Sequence, residues 1–230
     1  MAINGEPSCV TVTVRRDGAD AAGQVYRTIA AADPALATAI HDANEVSPWS
    51  VQLDGEVTHV TIFDAEVAAA FVAGAKARGD VKTIRPPVTA RWCIDCGDGG
   101  AEAQLTTLAP VRTSASMRGA RGLTERPDAL FPDPARIIND LGIKWANLGW
   151  PDLPHAKGNQ IHGALLKYSI AHLHAGRLTF RGWHGVLHLD MRLMCPEDRA
   201  VIWTLLRFGE LRNVGRNVSY GMGAIRVERR

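Results

Sequence analysis

Residues 46–63 read V-S-P-W-S-V-Q-L-D-G-E-V-T-H-V-T-I-F. Two runs, 46–53 and 57–63, are rich in Val, Trp, Leu, Ile and Thr, and Asp54-Gly55 stands between them. An Asp-Gly pair between apolar runs is the chemistry of a tight hairpin, so two antiparallel strands are expected here. Upstream, Asp33-Pro34 supplies an N-cap and a first-turn proline for a helix to about Asp42. Before it, 24–32 is Ala-rich and helix-prone. Further back, Val10, Val12 and Val14 alternate with Thr11 and Thr13, the period of a half-buried strand. Downstream, Asp64 caps a helix over 65–78 that Gly79 ends. Residues 81–94 supply a last strand, which Pro86-Pro87 confines to an edge or a bulge. The order strand, helix, strand, strand, helix, strand is the βαββαβ unit, which in RNA-recognition modules offers a four-stranded sheet as a platform.

The second half repeats the pattern. Residues 105–114 read as a strand. Residues 116–133 are loop-like, with Arg118-Gly-Ala-Arg-Gly122 either a solvated connection or an arginine–glycine RNA contact. Asp133-Pro134 opens a helix to about Trp145, and 147–160 is irregular. Residues 176–192 read as two strands around a turn near Gly182–Gly185. Pro196-Glu197 opens a helix to about Phe208 with Val201, Ile202, Leu205 and Leu206 on one face. A short apolar strand, 224–227, ends the pattern. The fold class expected is therefore α+β: tandem ferredoxin-like (RRM-like) βαββαβ domains over 1–100 and 104–230, joined by a linker at 97–103.

A chain of 230 residues with 46% hydrophobic side chains can fill two such cores. No apolar run approaches the roughly 20 residues of a membrane span, and the start has no basic-then-apolar leader. Four scattered cysteines, Cys9, Cys93, Cys96 and Cys195, do not make a disulfide framework, so a cytoplasmic setting is expected. Cys93 and Cys96 form a lone C-x-x-C with no second pair at finger spacing, and they read as small apolar side chains. Six of the eight histidines (His155, His162, His172, His174, His184 and His188) fall in 155–188. No H-E-x-x-H occurs, and His172 and His174 on one strand face suit a surface or RNA contact better than a metal. No metal and no cofactor are expected.

Residues 214–223 read V-G-R-N-V-S-Y-G-M-G. Glycine-rich loops can point N–H groups at phosphate oxygens, and Arg216 adds a planar cation for the same target. A plain glycine-rich turn before the last strand is the other reading. A dinucleotide fingerprint would need a helix and a further strand, but only seven residues follow Gly223. A P-loop would need Gly-Lys-Ser/Thr, which the chain lacks. Charge favours an anionic partner. Residues 176–230 hold ten Arg, no Lys and five acids, net +5, which leaves −3 for residues 1–175 of a chain that totals +2. Arginine alone suits bidentate contacts to phosphate or base edges.

An apolar residue, Gly, five residues including a cation, then Gly-x-Gly near the C-terminus resembles the glycine-rich signature of the RAMP superfamily of RNA-binding proteins. Within it, the CRISPR-associated endoribonucleases that process precursor CRISPR RNA are the most similar. Residues 26–49, Y-R-T-I-A-A-A-D-P-A-L-A-T-A-I-H-D-A-N-E-V-S-P-W, resemble the N-terminal region of the same family: a Tyr on the first helix, Asp-Pro, an apolar residue and His at the second helix end, then Pro-aromatic. The resemblance covers both halves and is sharp over 26–50 and 209–227.

What it implies is metal-independent RNA cleavage, with His41 in proton transfer and Tyr26 as its partner. Arg212, Gly215, Arg216, Asn217, Gly221 and Gly223 would position the RNA backbone. In some members a Lys follows the His; that position is Ser47 here. The partner implied is CRISPR repeat RNA, bound by a monomer or homodimer with no membrane involved. A non-catalytic RNA-binding RAMP subunit held with other CRISPR effector subunits is the alternative. The chemistry needs few groups, because RNA carries its own nucleophile, the 2′-hydroxyl. A protein need only move two protons, hold the phosphate in line and offset its charge.

Overall fold

The computed structural model describes residues 7–18, 20–43, 47–95, 100–114, 128–129, 131–154 and 160–230. Val46, Cys96, His155 and the arginine–glycine stretch 118–122 lie outside the described residues.

Strand β1 (Ser8–Arg15) leads to helices α1 (Ala21–Ala30) and α2 (Pro34–Asp42), the hairpin β2 (Trp49–Asp54)–β3 (Val57–Ile62), helix α3 (Ala65–Ala77) and strand β4 (Val81–Ile84). The three helices start where an aspartate can cap them. Asp20, Asp33 and Asp64 accept from the N–H of Gly23, Leu36 and Val67, each at 2.9 Å. Each such cap contributes about 1 kcal/mol. The Asp20 cap also explains why α1 begins before residue 24. The strands form one antiparallel sheet in the order β2-β3-β1-β4. Alternation works as expected: Val12, Val14, Val51 and Val60 share a core with Val25, Ile29 and Phe71 of α1 and α3. On the opposite face Thr11 meets Thr61 (3.0 Å) and Thr13 meets His59 (2.9 Å) through their hydroxyls.

The expected strand over 81–94 is broken. Pro86-Pro87 stop β4, and a two-residue strand β5 (Val88–Thr89) pairs with Ser8 and Cys9 at the start of β1. The chain then turns into helix α4 (Ala90–Asp95), so Cys93 sits on a helix, fully buried. Helix α4 packs on a helix of the second half, and Cys9, Phe63, Ala90 and Cys93 belong to the second half's core. Ala103, placed by the sequence reading at the end of a linker, is buried within a strand.

That strand is β6 (Glu102–Thr107). It ends well short of residue 114, and the small pair β7 (Thr113–Ser114)–β8 (Asp128–Ala129) follows. Helix α5 (Pro134–Asn147), capped by Asp133, precedes a long hairpin, β9 (His162–Ala175) and β10 (Leu178–Asp190). Helix α6 (Pro196–Arg212) and strand β11 (Ile225–Arg229) complete an antiparallel sheet ordered β11-β6-β10-β9. Residues 178–190 are one strand, not two. The turn is at Gly176, with φ +59, while Gly182 and Gly185 serve close approach: a Cβ there would stand 2.5 Å from the Val111 carbonyl oxygen and 1.9 Å from that of Lys167. Leu105, Leu187, Leu189 and Val227 face α5 and α6, which contribute Ile137, Leu141, Trp145, Ile202 and Phe208.

The halves are joined where the end of α6 meets β2, an edge strand. Edge carbonyls invite foreign strands unless they are covered, and the last carbonyls of a helix lack intrahelical partners. Each element satisfies the other. Arg212 donates to the Trp49 and Ser47 carbonyls (2.7 and 2.8 Å) and Asn213 to that of Val51 (2.8 Å). In return Gln52 donates to the Glu210 carbonyl (2.7 Å) and the Ser50 hydroxyl to that of Leu211.

Glycine is obligatory in the last loop at Gly223, which has φ +75 and where a Cβ would lie 1.9 Å from the Val214 carbonyl oxygen. Gly223→Ala is expected to cost roughly 2–4 kcal/mol from the left-handed backbone and the overlap together. Urea unfolding should show a lower midpoint at unchanged slope.

Candidate RNA-cleavage site

Helix α1 presents Tyr26 toward the last turn of α2, which carries His41. The two rings meet edge to face at 5.6 Å, and Tyr26 meets Trp49 of β2 the same way at 5.1 Å. His41 has 71% of its side chain exposed, with Nδ1 3.3 Å from Asp42 Oδ1. Tyr26 is half-buried. Burial, and then the neighbouring Tyr220 phenol, raise its pKa above the ordinary 10.0, so it keeps its proton through neutral and mildly alkaline pH. A cavity of about 250 Å³ opens beside it, lined by Ile40, Ser47, Pro48 and Asp64 among others.

The glycine-rich loop reaches the same place through Tyr220, at the end of a single 3-10 turn (Val218–Tyr220). Its ring lies 5.1 Å from Phe180 on β10 and packs with Leu173 and Met222. Arg112 lies over Phe180 at 5.9 Å and donates to Asn217 Oδ1 at 3.1 Å. The two sequence regions, 26–49 and 214–223, lie 165 to 197 residues apart and converge on His41, Tyr26 and Tyr220, with Phe180 beside Tyr220.

Two expectations are corrected. First, the N–H groups of the three loop glycines and of Arg216 are bonded within the protein. The N–H of Gly215 goes to Asp140 Oδ2 (2.8 Å), of Arg216 to the Arg112 carbonyl, of Gly221 to that of Val218 and of Gly223 to that of Pro110. Gly215, Gly221 and Gly223 are buried, with φ of +80, +95 and +75. They shape the loop rather than face a ligand. Second, Arg212 is 2% exposed and spends its guanidinium on β2 carbonyls, 5.0 Å over the Phe63 ring. Burial pulls its pKa down to about 10, partly offset by Asp140. It is a strut between the halves. Arg216 is exposed and Asn217 half-exposed, so of the six loop positions these two can meet a ligand. Ser47 contributes its carbonyl to Arg212.

The sequence reading missed Tyr220 as a site residue, although it stands inside the 214–223 stretch; only a partner on α1 singles it out. It also missed Asp140 and Lys144 of α5, which no local motif marks. Lys144 donates to Asp140 (2.9 Å) and to the carbonyls of Asn213 (3.1 Å) and Gly215 (2.6 Å), and burial lowers its pKa. His172 and His174 share a strand face as expected, with His174 bonded to Thr179 at 3.0 Å, and His188 meets Glu102 at 3.2 Å. Among the described residues no three His, Cys, Asp or Glu side chains converge, and no helix is long and apolar enough to cross a membrane. A larger cleft, about 620 Å³, lies between the open face of the first sheet and the α6–β11 side; Thr61, His59, Arg85, Trp92 and Arg226 line it.

No family model matches the sequence, and no curated protein matches it. Solved structures do. A Cas6 product complex aligns over 97% of this chain and 99% of its own at a TM-score of 0.75 and 18% identity. Thermus thermophilus Cas6 aligns over 97% and 98% at 0.72 and 16%. A structure described as an RAMP protein binding different RNA substrates aligns over 96% and 99% at 0.59 and 13%. The likeness runs through both halves at low identity, so what the chain shares with Cas6 is its whole fold.

Proposed function

We propose that this chain, built on the Cas6 fold, is a metal-independent endoribonuclease that cleaves the repeat of precursor CRISPR RNA. Its two βαββαβ halves, residues 1–100 and 104–230, are ferredoxin-like units. The observation that carries the reading is the position of Tyr26, whose ring touches His41 on one side and whose phenol feels Tyr220 of the glycine-rich loop on the other.

In the reaction the 2′-hydroxyl oxygen forms a bond to phosphorus as the bond from phosphorus to the 5′ oxygen breaks. The proton of the 2′-hydroxyl leaves to a base and a proton reaches the departing 5′ oxygen. The products are a 2′,3′-cyclic phosphate and a 5′-hydroxyl. His41 moves one of these protons; imidazole as a class does so in either direction near neutral pH. Tyr26, whose raised pKa favours the phenol form, donates to a phosphate oxygen or orients His41. Arg216 supplies the cation that a Lys at position 47 would supply in some family members. Arg85, Arg226 and Trp92 give the larger cleft the mix of cation and aromatic ring that suits a ribose-phosphate strand.

Purified protein with repeat RNA in EDTA is expected to yield those two end groups at one position. RNA bound but left intact would favour a non-catalytic RAMP subunit instead, the reading that Ser47 in place of Lys supports. Loss of cleavage in EDTA, restored by added divalent ion, would overturn the metal-free mechanism.

A further inference from the structure

Strand β9 is the outer edge of the second sheet and is exposed along most of its length. On its helix side Leu165, Tyr168 and Ile170 follow one another, opposite Leu187, Gly185 and Trp183 of β10. Phe131, just ahead of the α5 cap, lies on Tyr168. The two rings are parallel within 3° at 5.2 Å, and Phe131 is 68% exposed. A large apolar ring held flat against another ring with this much surface in water needs a reason, since apolar surface left in water forgoes the gain of burial. Farther along the same strand face come His172, Arg181 across from it, and His174, all exposed. Tyr168 to His172 is roughly 13 Å at the rise of a strand. Between residues 161 and 189 the chain has no Asp or Glu.

We propose that Phe131, backed by Tyr168, is a stacking platform for an unpaired nucleobase of the bound RNA, with Arg181, His172 and His174 receiving the phosphates that follow. This deepens the RNA-processing reading and rests on it. Every base has a π-face, so stacking holds a strand in place without fixing its sequence, and a neighbouring acid-free strip supplies the attraction for phosphate. The strand also leads toward the proposed cleavage site: Leu173, roughly 17 Å along from Tyr168 and on the opposite face of the sheet, belongs with Tyr220 to the Phe180 cluster, so RNA leaving the platform would pass over the β9 edge. A base seated on Phe131 would therefore anchor RNA at a distance from the scissile phosphate.

The test uses full-length His41→Ala protein, which holds RNA uncut, and short single-stranded oligoribonucleotides carrying 5-iodouridine at successive positions. A photocrosslink at Phe131 or Tyr168, found by mass spectrometry, is expected. Phe131→Leu, of similar size but without a π-face, should weaken binding about tenfold, and Phe131→Trp should keep it. An unchanged thermal midpoint in both variants separates stacking from folding. If RNA binds and the Leu variant binds equally well with no crosslink there, the platform is wrong while the cleavage assignment stands. Self-association that Phe131→Leu abolishes, with RNA affinity untouched, would overturn it in favour of a surface between two copies.

Discussion

His41→Ala is expected to lower the rate of repeat-RNA cleavage by about 10²–10⁴-fold, the usual range for a lost proton-transfer group, with RNA affinity changed by less than about threefold. The two effects separate because of where His41 sits. With 71% of its side chain in solvent and its described contacts limited to the Tyr26 ring edge and Asp42, it holds little of the fold together. Tyr26→Phe keeps the edge-to-face packing on His41 and Trp49 but removes the phenol. It should cost less, about tenfold, and should leave the shape of the pH–rate profile intact below the ordinary tyrosine pKa, because a phenol raised above that value does not titrate there. Single-turnover kinetics with saturating protein gives the chemical rate, and filter binding gives affinity. A His41→Ala protein that cuts at the normal rate would remove the catalytic assignment, whatever its affinity.

The hairpin at 49–62 was legible because Asp-Gly and period-two alternation are local signals, and Asp33, Asp64 and Asp133 declared their caps, whereas Asp20, in a stretch that reads as a turn, did not. Alternation and caps together carry the element order of both halves. What the sequence misled about was glycine. Gly182 and Gly185 look like turn residues, yet they lie inside β10 because the Val111 and Lys167 backbones pass too close for any Cβ. The same ambiguity governs 214–223: glycine content predicts an open phosphate cradle and equally a loop whose N–H groups turn inward, and only the distant partners Asp140, Arg112 and Pro110 decide between them. Arg212 illustrates the limit for charge. An arginine in a basic segment reads as a ligand contact, but its position at the end of α6, against an edge strand 160 residues earlier, turns it into a cap for the Ser47 and Trp49 carbonyls. His41 and Tyr26 were found through family resemblance; nothing in their local spacing states that two helix faces will meet.

Asp140→Ala is expected to destabilise the protein by about 3–5 kcal/mol, the range for removing one partner of a buried ion pair. Asp140 accepts from Lys144 Nζ (2.9 Å) and from the N–H of Gly215 (2.8 Å), while Lys144, with only 10% of its side chain exposed, spends its other donors on the Asn213 and Gly215 carbonyls. Removing the carboxylate strands a buried cation and an orphan N–H at the point where α6 hands over to the glycine-rich loop. The pH dependence has a definite sign. Burial already lowers the Lys144 pKa and Asp140 partly restores it; without Asp140 it falls further. The folded state then binds fewer protons than the unfolded state between that lowered pKa and the ordinary 10.5, so the stability of the variant rises with pH across this window, and its deficit shrinks up to the wild-type Lys144 pKa, above which both proteins rise alike. Asp140→Ala combined with Lys144→Met removes the stranded charge and should recover part of the loss, which chemical denaturation of the four proteins in the cycle would measure. Because residues 213–215 start the loop that carries Arg216 and Tyr220, the double variant should be more stable than Asp140→Ala alone yet cleave more slowly than wild type. Full cleavage in that variant would mean that the Asp140–Lys144 pair stabilises the fold without setting the pose of the loop.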